Sequence, residues 1–116
     1  MSFLEQLFQL LNSVLPGRVT YGTNIIDSND TQVYPFMVYQ EMSDRVHAYA
    51  DNKSLVRIKT YQITLVTELK NPVIEEQLET VFNETGINYQ MITEFVNEDY
   101  SVNRVYEIKQ EEIKHE

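Results

Sequence analysis

Groups able to do covalent or acid–base chemistry are few in this chain and poorly placed for it. The two histidines, His47 and His115, are far apart in sequence, so the close His–His spacing of a helical zinc site is missing. There is no cysteine, which removes both a disulfide framework and a thiolate metal site. No Gly-x-Ser-x-Gly turn is present, and the three isolated glycines build neither a P-loop nor a dinucleotide-binding turn. Asp27, Asn29 and Asp30 suggest a calcium loop. However, that loop needs a third oxygen ligand where Thr31 stands, Gly where Gln32 stands and Glu where Val38 stands. Carboxylates are plentiful and a pair could serve proton transfer, but an acidic surface explains them more simply. The expectation is a non-enzyme with no cofactor and no metal.

What remains is charge and its distribution. Eighteen Asp and Glu face nine Lys and Arg, a formal charge of −9. Phosphate contacts need cations, so an acidic chain is a poor nucleic-acid binder and is repelled by anionic membranes. Arg45, Lys53, Arg57 and Lys59 gather four of the nine cations into one short stretch. From Glu94 onward seven acids stand against three bases, a local net of −4. One reading is solvated strand faces. The sharper one is a subunit with a basic and an acidic side, suited to head-to-tail pairing that closes into a ring. The start of the sequence has no basic segment, and Glu5 interrupts its apolar run, so it does not read as a signal peptide. No stretch is long enough for a membrane span. Three Asn-x-Ser/Thr patterns, at Asn29, Asn52 and Asn83, are read as chance matches.

The elements that position these residues follow from periodicity. Phe3, Leu4, Leu7, Phe8, Leu11, Val14 and Leu15 recur at helical spacing, Ser2 with Glu5 forms a capping-box pattern, and Pro16-Gly17 ends the run. This predicts a helix over Ser2–Ser13. Arg18–Tyr21 reads as a short edge strand, followed by a polar loop over Gly22–Gln32. Strand A spans Pro35–Met42, where Phe36, Met37, Val38 and Tyr39 form the continuous apolar run of a strand covered on both faces. Strand B spans Leu55–Thr67, with Tyr61, Ile63 and Leu65 facing the core. Between them, the alternation over Arg45–Ala50 fits either an extension of strand A or one arm of a projecting hairpin. Asn71-Pro72 opens a second helix with an Ile74, Leu78, Val81, Phe82 stripe, and Gly86 closes it. A hairpin of Asn88–Val96 and Val102–Glu112 follows, and the tail from Glu111 is expected to fray.

These readings give one α+β domain over residues 1–116: a mainly antiparallel sheet, two amphipathic helices packed on one face, and a projecting hairpin. Its expected core is Phe8, Leu11, Val38, Ile63, Leu65, Leu78, Phe82 and Phe95.

The order and chemistry of these segments resemble the tail-completion proteins of long-tailed phages and prophages of Gram-positive bacteria, the tail terminators or tail-to-head joining proteins of siphophages. The resemblance runs over nearly the whole chain. It rests on the N-terminal amphipathic helix, the Pro-Phe-Met-Val-Tyr strand and the charged hairpin around Arg45 and Tyr49-Ala50-Asp51-Asn52. It continues through the Tyr-Gln-Ile-Thr-Leu strand, the Pro72-capped helix and the closing hairpin. It implies a virion protein that forms a ring, expected as a hexamer, on the head-proximal end of the tail tube. The ring stops tube growth and joins tail to head. The implied partners are copies of itself, the major tail tube protein and the head–tail connector. DNA passes through the lumen without specific binding, and no membrane is involved. The implied location is the bacterial host cytoplasm during assembly, then the tail or neck of the virion. A head–tail connector or minor capsid protein is the neighbouring alternative; a small acidic phage regulator that binds a host protein is the alternative from another class. The expected interface residues are Arg45, His47, Tyr49, Asp51, Lys53, Arg57 and Lys59, with Tyr49 as an exposed anchor on a hairpin over Ser43–Ser54.

Overall fold

A computed structural model describes residues 2–22, 34–48 and 54–115, with the side chains of 47, 48, 54 and 113–115 outside the description. Helix α1 (Phe3–Val14) starts where expected, because the Ser2 hydroxyl accepts the Glu5 backbone N–H at 3.2 Å. Helix α2 (Pro72–Glu84) starts on Asn71, whose side chain accepts from the Ile74 N–H at 3.3 Å. It ends in a full Schellman motif. Gly86 takes a left-handed φ of 73°, the Ile87 N–H bonds Phe82 O at 2.9 Å, and the Gly86 N–H bonds Asn83 O at 3.3 Å.

The strands are β1 (Val19–Tyr21), β2 (Phe36–Ala48), β3 (Ser54–Thr67), β4 (Tyr89–Val96) and β5 (Val102–His115). They form one sheet in the order β1-β2-β3-β5-β4. Every pairing is antiparallel except the short parallel contact of β1 with β2. The peptide bond before Pro35 is cis. The expected α+β class and mainly antiparallel sheet are what the chain adopts.

Both helices cover the same face. Leu7 and Leu11 from α1, its C-cap Leu15, and Leu78 and Phe82 from α2 pack on Met37, Tyr39, Tyr61, Ile63, Leu65, Tyr106 and Ile108. Leu11, Ile63, Leu65, Leu78 and Phe82 are in the core as expected; the other three differ. Val38 is only half-buried, because the pleat turns it away from the helices while Met37 and Tyr39 point inward. The reading of β2 as a strand covered on both faces is not met at Val38: among the described residues no helix lies on its second face. Phe8 is 39% exposed because it lies one step around α1 from the Leu7–Leu11 line, at the rim beside Tyr39. Phe95 is 46% exposed because it sits on the outermost strand, on the uncovered face.

β2, β3 and β5 continue well past the helices. Ser54 pairs with His115 and Leu55 with both Ala48 and Lys114, so the segment expected to fray is instead the third strand of an arm. The arm lengthens the molecule. The radius of gyration is 16.4 Å and the extents are 54 × 31 × 26 Å, against a radius of about 13 Å for a compact chain of this length.

Candidate interaction surfaces

Cross-strand partners point to the same side of a sheet, so the register sorts the arm's charges. Arg57 and Lys59 share parity with Tyr61 and lie on the helix side; Arg45 stands opposite Ile58 and points to the other side. The stretch that is basic in sequence is thus split by the pleat. It is also interleaved with acids: Asp44 lies beside Arg57 with Oδ1 3.0 Å from Nε, and Glu112 stands opposite Arg57 on β5. A purely basic side does not form. Of the expected interface residues, the structure describes the side chains of Arg45, Arg57 and Lys59. His47 is described only as a backbone pair with Val56, and Tyr49, Asp51 and Lys53 lie outside the described residues.

A segregation of charge exists, but between regions and not between faces. Among the described residues, the arm (43–48, 54–60 and 107–115) carries five bases against four acids, and the remainder carries three bases against ten acids. Arg45 is exposed, and neither it nor Lys59 has an ion-pair partner among the described residues.

Three of the body's acids, Glu75, Glu79 and Glu94, are held in one cluster. Under α2, Arg104 lies 3.1 Å from Glu94, 3.5 Å from Glu79 and 3.7 Å from Glu75. Its Nε donates to the Tyr106 hydroxyl at 2.6 Å, and that hydroxyl donates to Glu79 at 3.1 Å. Lys70 closes the cluster at 2.8 Å from Glu75 and 2.6 Å from Glu94. Burial alone would lower the Arg104 pKa, but the bond to Tyr106 and the surrounding carboxylates outweigh it and raise the value. Burial pushes the Tyr106 phenol up, with Arg104 opposing. The hydrogen bond from Lys70 leads in holding Glu94 below its ordinary value. These groups satisfy one another, so the cluster clasps α2 to β4 and β5. Among the described residues no group of His, Cys, Asp or Glu has the arrangement of a metal site.

The surface that sequence reasoning missed is the β4 edge. Met91, Ile92, Phe95 and Val96 are all exposed, and the following turn presents Tyr100, 73% exposed with a left-handed φ of 71°. A bulky side chain in that conformation is held there at a cost of about 1 kcal/mol. Edge strands are normally blunted by Lys, Pro, brevity or a bulge; β4 is 8 residues long with no Lys or Pro, and its one such feature is the bulge at Ile92. The sequence signal was present: apolar residues fall on both parities of β4, more than a strand covered on one side can bury. A register shift between Met91 and Thr93 breaks the alternation that placed Phe95 in the core. On the opposite side of the molecule, Leu4, Phe8, Tyr21 and Tyr39 line a second apolar groove.

The sheet face away from the helices is mixed: Phe36, Val38, Val66, Val105 and Phe95 lie on it, with Arg45, Lys109 and Glu111 toward the arm. Gln40, Gln62 and Glu107 form one cross-strand row, and Thr64 stands beside them in the same parity. Among the described residues no helix is long and apolar enough to cross a membrane. No protein-family model matches this chain, and no curated protein matches it.

Proposed function

We propose that the protein is a ring-forming tail-completion protein that caps the head-proximal end of a siphophage tail tube and joins it to the head. One observation carries the reading furthest: exposed apolar surfaces lie on the two opposite edges of a single sheet. Different patches on opposite sides lead to heterologous, head-to-tail contacts, and such contacts close into rings when the rotation permits. The resemblance of the sequence to tail terminators supports the same reading and supplies the hexamer as the expected size. The chain's acidic balance suits a lumen that DNA must slide through without binding, because phosphate retention needs Lys and Arg.

In this role the chain acts by shape and contact, with no catalytic step. Its partners are its own copies, the tail tube protein and the head–tail connector, in the host cytoplasm during assembly and in the virion neck afterwards. Electron microscopy of particles made with and without the gene tests it: loss should give overlong tails or tails without heads. Normal, head-attached tails in its absence overturn the reading and leave a regulator of a host protein as the better account.

A further inference from the structure

We infer that copies of this chain join by strand addition, the outer edge of β4 on one copy pairing with the free outer edge of the β2 arm on the next; this rests on the ring reading above. Among the described residues both edges are open. β4 pairs only with β5, and among the described residues nothing pairs with β2 beyond the three-residue contact of β1 at Met37–Tyr39. The two free edges match in length: β4 is 8 residues long, and β2 runs on from Gln40 to Ala48. Unpaired backbone N–H and C=O groups on such edges are templates for another strand.

Both edges also present apolar side chains, Ile92 and Val96 on β4 and Met42 and Val46 on the arm. Their charges are complementary. Apart from Glu94, which the clasp holds, the segment from Tyr89 to Ser101 carries Glu98 and Asp99 and no base, whereas the arm offers Arg45 and Lys59 without ion-pair partners among the described residues. That contrast selects a second copy as the occupant, because one surface of the chain supplies what the other lacks.

The geometry is compatible with closure. Through the pairings of β5 and β3, the middle of β4 lies level with Thr64, and the middle of the free β2 edge lies level with Ile58 and Lys59. The stagger between neighbours is therefore about 18 Å along the strands, against about 19 Å across the four strands β2, β3, β5 and β4. Together these imply a strand tilt of roughly 43°, within the range at which sheets close into barrels.

The chain has no cysteine, so single reporters can be placed freely. Val46→Cys and Ile92→Cys proteins, both altered at exposed positions, are mixed and treated with a flexible bis-maleimide. The expected result is a cross-linked heterodimer from the mixture, little product from either protein alone, and multimers from a chain carrying both substitutions. Ile92→Lys should weaken self-association about tenfold or more with Tm unchanged. Added salt should also weaken it. Efficient self-cross-linking of Ile92→Cys would show β4 meeting β4 and overturn the inference. Oligomers without a mixed cross-link, or no oligomer at any concentration, overturn it as well. The tail-length phenotype is read on particles, so it decides the tail-completion role separately from this contact.

Discussion

Arg104 and Arg57 occupy similar positions: each lies on a long strand, on the helix side of the sheet, beside carboxylates. Their surroundings make them different devices. Arg104 lies beneath α2 with its side chain 16% exposed, among three glutamates and the Tyr106 hydroxyl. Arg57 lies at the open end of the helix layer, in a groove with Ser2 and Phe3 at the start of α1, with its side chain 39% exposed, and its Nε, though 3.0 Å from Asp44, is not oriented to make a hydrogen bond. Removing water from a charge cluster makes each partner necessary to the others, whereas a charge left in water loses little when its neighbour goes. The helix cover therefore decides which charges hold the fold and which stay available to a partner.

The contrast is broken most directly at Arg104. Arg104→Met keeps much of the side chain's volume but leaves Glu75, Glu79 and Glu94 with Lys70 as the remaining cation of the cluster. A loss of about 3 kcal/mol is expected, read as a lower denaturant midpoint. A loss under about 1 kcal/mol would mean that the cluster relaxes into water like a surface pair. Tyr106→Phe removes only the hydroxyl that links Arg104 to Glu79. The ring stays packed on Phe82 and Tyr89, so the expected loss is about 1–2 kcal/mol.

The clasp also sets a pH dependence. Glu94 is held below its ordinary value of 4.5, so its contribution is present above pH 4.5 and is lost as pH falls through the folded value. Lys70 is raised above 10.5, chiefly by its hydrogen bond to Glu75, so its contribution is present below pH 10.5 and fades as pH rises through the folded value. Urea melts of the wild type and Glu94→Gln between pH 6 and about 3 should converge on acidification, because the variant has no carboxyl there to protonate. Parallel curves would place the acid sensitivity elsewhere.

The same contrast explains what could be read from the sequence. The helix boundaries were legible because Ser2, Asn71-Pro72 and Gly86 act locally, through single caps and a single left-handed φ. Strand identities and the inward parity of Tyr61, Ile63 and Leu65 were legible for the same reason. The arm's third strand was not: Glu111–His115 has no local signal and is ordered by pairing with β3. Nor were the neighbours of Arg57, which depend on which strands lie beside β3. The clasp draws Lys70, Glu75, Glu79, Glu94 and Arg104 from four separate segments, so no motif announced it. Phe95 was misplaced because hydrophobicity marks surfaces that bury, without saying whether the cover comes from the same chain.

The smallest effect is expected on the arm, where its smallness is informative. Asp44→Asn removes the charge beside Arg57, and both side chains are more than a third exposed. The stability change should lie within about 0.5 kcal/mol, with a Tm shift near the limit of measurement. If the arm's charges serve a second copy, the variant should alter self-association and its salt dependence more than its melting. It also leaves Arg57 freer, so association with the acidic β4 segment should strengthen slightly at low salt and return to the wild-type value as salt is raised. A loss of stability comparable to that of Tyr106→Phe would show that the arm is held together by its own ion pair, and the difference between covered and uncovered charge would then lose its basis.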